Sequence, residues 1–578
     1  MPTKFEVARL YTATFNRAAD SAGLDYWVND SNLPIEGIAQ SFFDQPETQQ
    51  KYPDYLSNEV FVNTIYQNLF NRDAKEAGLD YWVGELESGN ISRGSMILAI
   101  INGALGTDRL ILEHKTAVSI YYADNDLNDI QSAYSVLDGV DYTTDSVLNS
   151  KQKIDNLDTN HINGLGELPN ANMYEVKAID SHTQWDKDTI TYSFNEYIPY
   201  DYYELNDPDI IDGWQPLNNS DREAVREIFG KLEEFLDVKF QEVSDEGDIR
   251  FNKVDMPYSA GFSYFPEDDT PISGDVFLAN DYDAQGNEPG TYGYMTIVHE
   301  IGHALGLEHP FDGDSYLPQD EDNMLYTIMT YTEKQDGVVD IDCNSYEGRY
   351  KYSADASPDN YQLYDVMALQ TKYGINADTN SSSDRYDLSS LYSEKGHIVL
   401  WDSDGMDTID LSDTKYKDVI RLEDATLSSV DIHNTNTQIN KWVKECVSNG
   451  WGKDEARDWI ESIYSNSYIQ ETLYTGHNNL EIAKGVIIEN VITGNGNDIV
   501  YDNSQDNFIS TGKGNDIIYL QDGGYDIVDA GDGKDSVYLS FRESEANIYD
   551  ITNSHMIIES TDGETVVELI GVENIYFA

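Results

Sequence analysis

The sequence predicts a multidomain protein: an all-α repeat domain at the amino terminus, an α+β domain in the middle, and a parallel β-roll or β-sandwich at the carboxy terminus. Three observations predict it. An apolar-patterned segment occurs twice near the start, LYTATFNRAADSAGLDYWV from Leu10 and IYQNLFNRDAKEAGLDYWV from Ile65, offset by 55 residues. Strand-like runs then alternate with one amphipathic helix ahead of a histidine cluster. Near the end, Gly/Asn/Asp turns recur every nine or ten residues, each followed by an aliphatic.

Size and charge agree with this division. At 578 residues the chain is long for one domain, and 40% hydrophobic content supports real cores. Against 36 basic side chains stand 106 acidic ones, a net charge of −70. Such a surface repels nucleic acid and anionic lipid, which excludes both as partners, and it suits divalent cations as well as plain solubility. The run MPTKFEVARLYTATF lacks the pattern of a secretory signal peptide, and no 18-residue apolar run predicts a membrane span. Cys343 and Cys446 are the two cysteines. A single bridge and two free thiols both stay open.

Residues 1–125 read as a helical domain of two units of about 55 residues, with the pairs Tyr26–Trp27 and Tyr81–Trp82 expected in its core. The repeat resembles an uncharacterised helical domain of bacterial surface-layer and exported proteins. Residues 126–179 are polar and without sustained periodicity, and read as a connector or a cover for the cleft of the next domain. His161 in that stretch is a candidate blocking ligand. Over 180–376, TITYSF, DIRFNKV, SAGFSYF and GDVFLAN read as strands, and 220–238 as a helix capped at Ser220.

TIVHEIGHALGLEHP (296–310) places three of the chain's ten histidines within eleven residues. His299 and His303, four apart, share one helix face and can bind one zinc ion. Gly306 can end the helix in the left-handed conformation, so that His309 returns as third ligand. Three neutral ligands leave a place for water, and Glu300 stands beside them as general base. Chance, or histidines satisfied in a core, is the bland alternative.

HExxHxxGxxH is the motif of the metzincin zinc proteases, and the chain from 180 onward resembles the serralysin type of that group. The resemblance implies a methionine turn in TIMTY, with Met329 beneath the imidazoles and Tyr331 reaching the transition state. It implies that SAGFSYFP (259–266) is the edge strand receiving substrate, through Ala260, Gly261 and Phe262. YQLYDVMALQTKYGIN (361–376) resembles the closing helix of the catalytic domain.

Residues 377–578 predict a calcium-binding roll. Asp498, Asn507, Asp516, Asp526 and Asp535 mark successive half-turns, each followed two residues later by Val500, Ile509, Ile518, Val528 or Val537. Asp498, Asp516, Asp526 and Asp535 are expected calcium ligands. By resemblance Asp402, Asp407 and Glu489 are also ligands, whereas NSSSDRY (380–386) lacks the arginine and glycine of the family's calcium loop. Residues 433–475 form an extra segment that reads as helical.

The function this implies is a secreted, calcium-stabilised zinc endopeptidase. It would hydrolyse protein or peptide substrates through a zinc-bound water with Glu300 as base. Zn2+ and Ca2+ are its cofactors, type I secretion machinery its export partner, and the bacterial surface layer or cell surface its expected neighbour. The amino-terminal domain would serve surface association or autoinhibition. The alternative is a non-catalytic surface-layer or adhesive protein built on a protease-like scaffold.

Overall fold

The matched asparagines of the internal repeat end two equivalent helices. Lys4–Phe15 and Asn58–Phe70 both terminate on a left-handed residue, Asn16 and Asn71, each with φ 56°. A computed structural model describes residues 2–53, 55–157, 165–205, 207–266, 270–282, 286–313, 315–332, 337–344, 349–353, 358–389 and 397–578; His161 and Glu333 lie outside them. The amino-terminal region is helical, with Glu76–Glu87, Arg93–Asn102 and Thr107–Asp124 completing a core around Leu10, Phe42, Phe61 and Ile97. The aromatic pairs only partly enter it: Trp27 packs on Phe42, but Tyr26 and Tyr81 are exposed.

The stretch read as a connector carries structure. Helices Ile130–Ser135, Thr144–Asp155 and Tyr174–Ala178 occur within it. Val147 and Ile154 join a buried cluster with Phe5, Leu110, Tyr525, Ile557 and Val566. The helical region therefore docks on the carboxy-terminal strands. A buried ionic seam closes that contact: Arg9 pairs with Glu113 (2.7 Å) and Glu559 (3.0 Å), and Arg109 with Glu113 (2.7 Å). His114 Nε2 meets Glu568 at 2.8 Å.

The middle region is a five-stranded sheet ordered Lys239–Glu242, Thr189–Phe194, Ile249–Val254, Val276–Ala279, Gly261–Ser263. All neighbours run parallel except the last, an antiparallel edge strand. Helix Asn219–Phe235 is capped by Asn218 in a reciprocal box with Asp221; Ser220, the expected cap, instead donates to Asn287. Helix Leu363–Tyr373 ends at Gly374, φ 77°.

The carboxy-terminal region is rich in strands, gathered into two eight-stranded sheets. Each half-turn switches sheet. Val500, Ile518 and Val537 stand in register in one, and Ile509 and Val528 in the other. All five are fully buried between them. The extra segment is helical, Thr435–Ser448, Lys453–Tyr464 and Ser467–Thr472. It packs on the hairpin Val338–Asp342/Arg349–Ser353, and Cys446 is disulfide-bonded there to Cys343.

Candidate metal centres

The helix Tyr292–Ala304 starts at Thr291, whose side chain caps the Tyr294 N–H, and carries His299, Glu300 and His303. Gly306 follows with φ 91°, and a side chain there would lie 2.1 Å from the Thr183 carbonyl. The chain turns back along residues 179–181. Glu308 N–H donates to Ile179 O (2.8 Å), and Ser181 Oγ donates to Gly306 O (2.7 Å). This strap delivers His309.

Each imidazole is oriented through Nδ1. In His299 it meets Ile328 O (2.8 Å), in His303 Leu307 O (2.7 Å), and in His309 the Asp312 carboxylate (3.2 Å). Carbonyls and carboxylates only accept, so Nδ1 carries the proton and Nε2 keeps its lone pair. The three histidines bring a ligand atom each within 4.8 Å of one another, with Nε2 of His303 and His309 3.1 Å apart. Burial holds the neutral form: it lowers His299 to about 4 and His303 well below its ordinary value. Three converging imidazole nitrogens are a donor set that fits zinc.

Glu300 is buried, which pushes its carboxyl up to about 7 against the hydrogen bond from Ser263 Oγ (2.7 Å). Gly261 lies against it, where a side chain would stand 2.8 Å from Glu300 Oε1. Tyr331 is exposed, and its hydroxyl meets His309 Nε2 at 2.8 Å. Met329 is buried with its sulfur over Gly302, 2.6 Å from where a side chain there would begin. The turn holding Met329 hangs on Asp365, which accepts from Thr327 Oγ1 (2.5 Å) and Ile328 N–H (2.8 Å).

Of the three edge-strand residues, Phe262 stacks on Phe277, 4.9 Å between centroids, and Ala260 O accepts from Ala279 N–H (2.8 Å). Tyr264 N–H donates inward as well. By alternation the backbone groups on the open edge are those of Gly261 and Ser263.

The expected calcium ligands form two ladders. Asp498 accepts from the Asp418 N–H, Asp516 from Asp498, and Asp535 from Asp516, each at 2.8 Å. On the second ladder Asp407 accepts from Asp384 (2.7 Å), Glu489 from Asp407 (2.7 Å), and Asp526 from Asn507 (3.0 Å). One oxygen of each is thereby occupied. Buried second oxygens of Asp407, Asp516, Asp526 and Asp535 have no partner. Burial and the charges of Asp402 and Glu489 push Asp407 up to about 10, and burial pushes Glu489 up to about 8. Such oxygens fit a divalent cation. Asp384, in the loop that departs from the family pattern, brings a carboxylate oxygen within 4.8 Å of those of Asp402 and Asp407.

Sequence reasoning missed Asp384, Asp365, Ser263 and Ser181. Asp384 in NSSSDRY, Ser263 in SAGFSYFP and Asp365 in YQLYDVMALQTKYGIN all lie in segments already singled out, but no role was assigned to those side chains.

Comparison with known proteins adds two findings. A domain family of unknown function, DUF4214, matches residues 39–104. A protein named serralysin from Photorhabdus sp. (strain Az29) is 30% identical over 341 residues, 54% of this chain and 57% of the relative. Serralysin of Proteus mirabilis is 29% identical over 328 residues, 50% and 55% of the two chains. Metalloprotease AprA of Pseudomonas entomophila (strain L48) is 26% identical over 338 residues, 55% and 59%. The chain thus spans little more than half the length of the curated relatives it matches.

Proposed function

We propose that this chain, a serralysin-type relative over about half its length, is a zinc endopeptidase of metzincin fold with a calcium-binding β-roll. The observation that carries the reading is the set of three Nδ1–H donors that turn three Nε2 lone pairs inward. Zinc held by His299, His303 and His309 supplies Lewis acidity toward the carbonyl under attack.

The chain's own groups do the rest. The substrate adds as a strand at the open backbone of Gly261 and Ser263, which sets its scissile carbonyl beside Glu300. Ser263 fixes one oxygen of Glu300, and the carboxyl, poised near neutrality, takes the proton of the attacking water. As the C–N bond breaks, Glu300 returns that proton to the leaving amine. Tyr331, exposed at the edge of the site, donates its hydroxyl to the developing oxyanion. Asp402, Asp407, Glu489, Asp498, Asp516, Asp526 and Asp535 bind calcium, with Asp384 an added ligand. Export by type I machinery fits this, because millimolar calcium outside the cell would then complete the fold. We assign the amino-terminal helices a docking role on the roll, near the cell surface, in preference to inhibition. Among the described residues their buried contacts run to the carboxy-terminal strands.

Glu300→Ala tests the reading. It should retain zinc and the wild-type circular dichroism, and lose casein hydrolysis by roughly a hundredfold or more. Full activity in that variant would end the assignment. A wild-type chain without zinc or peptidase activity would leave the surface-protein alternative.

A further inference from the structure

We propose that docking of the amino-terminal helices on the carboxy-terminal strands takes up a proton, held between His114 and Glu568, so that the contact loosens as the medium turns alkaline. The inference goes beyond the zinc reading and does not depend on it.

His114 sits in the helix Thr107–Asp124 and Glu568 in the strand Thr565–Ile570, and both are buried where the two regions meet. Both imidazole nitrogens face oxygens. Nδ1 lies 2.7 Å from Asp141 O, and Nε2 lies 2.8 Å from Glu568 Oε2. A carbonyl and a carboxylate only accept. A neutral imidazole has one N–H and one lone pair, so it would satisfy one partner and set its lone pair against the other. The geometry closes only with an added proton, on Nε2 or on the carboxyl. Burial works to raise Glu568, yet hydrogen bonds from His114 and His555 bring it down to about 2. The carboxylate is therefore the charged partner, and the imidazole carries the proton.

The charges around the pair agree. Arg9, from the helix Lys4–Phe15, and Arg109, one turn ahead of Glu113, both meet Glu113 and Glu559. A charged His114 sets three cations against the three carboxylates of Glu113, Glu559 and Glu568. A neutral one leaves a buried carboxylate in excess, which is costly. The remaining neighbours do not titrate against it near neutrality. Tyr525 donates to Glu568 Oε2 (3.3 Å), and burial pushes its hydroxyl well above the usual range. Tyr549 packs its ring under Arg109. The Asp141 carboxylate is turned to Thr143. Lys115 donates to Asn68 O and Asn71 Oδ1; burial lowers it to about 8 against the pull of Asp138, so below that pH it stays charged. His555 Nε2 meets Glu568 Oε1 at 2.8 Å from the adjoining strand, a contact that undocking leaves in place.

The sign follows. A histidine in water loses its proton near about 6.5. Docking is at full strength below that pH. Above it, docking must draw a proton from solvent and weakens by about tenfold per pH unit.

The test follows hydrogen exchange at Ala117 and Val118, which pack in one cluster with Ile557 and Val566 of the strands. The full chain, saturated with calcium, is compared at pH 7 and pH 8, after correction for the intrinsic rise of exchange with pH. Wild-type protection should be about tenfold lower at pH 8. In Glu568→Gln the amide N–H donates to a neutral Nε2 and the amide oxygen keeps His555, so no added proton is needed. Its protection should change by less than about twofold. His555→Gln should keep the wild-type slope. Equal wild-type protection at the two pH values would overturn the proposal. So would a Glu568→Gln chain as steep as wild type, or a flat His555→Gln chain. The wild-type slope decides by itself should Glu568→Gln not fold.

Discussion

The histidine centre and the aspartate ladders both read as metal sites, yet their side chains are held in opposite ways. At the histidines, main-chain carbonyls take the Nδ1 protons of His299 and His303, so the rings already point their lone pairs inward. At the aspartates, one oxygen caps a backbone N–H of the adjoining turn, and buried second oxygens of Asp407, Asp516, Asp526 and Asp535 stay unpaired in reach of neighbouring carboxylates such as Asp402, Glu489, Asp498 and Asp502. A preformed site survives loss of its ion. A site of crowded carboxylates does not.

The largest expected effect follows from that contrast. Calcium removal by a selective chelator should sharply lower the melting temperature of the carboxy-terminal strands, whereas zinc removal should abolish activity and leave their melting within a few degrees. Calorimetry on the two stripped proteins checks both. Equal loss of melting in both would erase the distinction.

A pH series in the absence of calcium sharpens it. Burial first, and neighbouring charge second, raises folded-state values to about 6 for Asp402, 7 for Asp516, 8 for Glu489 and 10 for Asp407. A carboxyl raised above its unfolded value of about 4 binds more protons when folded, so stability falls as pH rises through that window. The calcium-free chain should accordingly melt higher at pH 5 than at pH 8. Saturating calcium, which favours the charged form, should flatten or reverse the slope. A calcium-free protein that becomes more stable toward pH 8 would contradict the crowding.

How much of this was legible depends on the range of the interactions. The HExxHxxGxxH spacing and the nine-residue aliphatic step are local, and the structure sets the three histidines within reach of one another and the aliphatics in register. What escaped is long-range. Ser263 meets Glu300 across 37 residues, Thr327 meets Asp365 across 38, and Ser181 meets Gly306 across 125. No periodicity signals such pairs. The helix Thr144–Asp155 escaped for another reason: its buried face includes Ser150 and Lys151, the latter paired with Asp506 at 2.8 Å, so its apolar stripe is two residues wide. The exposure of Tyr26 and Tyr81 shows the reverse error, in which an aromatic repeated in sequence was taken for core.

The smallest expected effect probes whether the histidine centre is as preformed as its hydrogen bonds imply. Ser181 lies outside the zinc motif but donates to Gly306 O at the turn that returns His309. Ser181→Ala removes the bond to Gly306 O, worth about 1 kcal/mol, along with the local contacts of the same hydroxyl to Thr183 Oγ1 (2.8 Å) and Thr183 N–H (3.3 Å), and leaves the backbone bonds from Ser181 N–H and Glu308 N–H in place. Zinc affinity should therefore fall only about threefold to fivefold, with calcium-dependent melting of the strands untouched. A loss of a hundredfold or more would mean that His309 is recruited by the metal instead of waiting for it. The two centres would then differ in degree and not in kind.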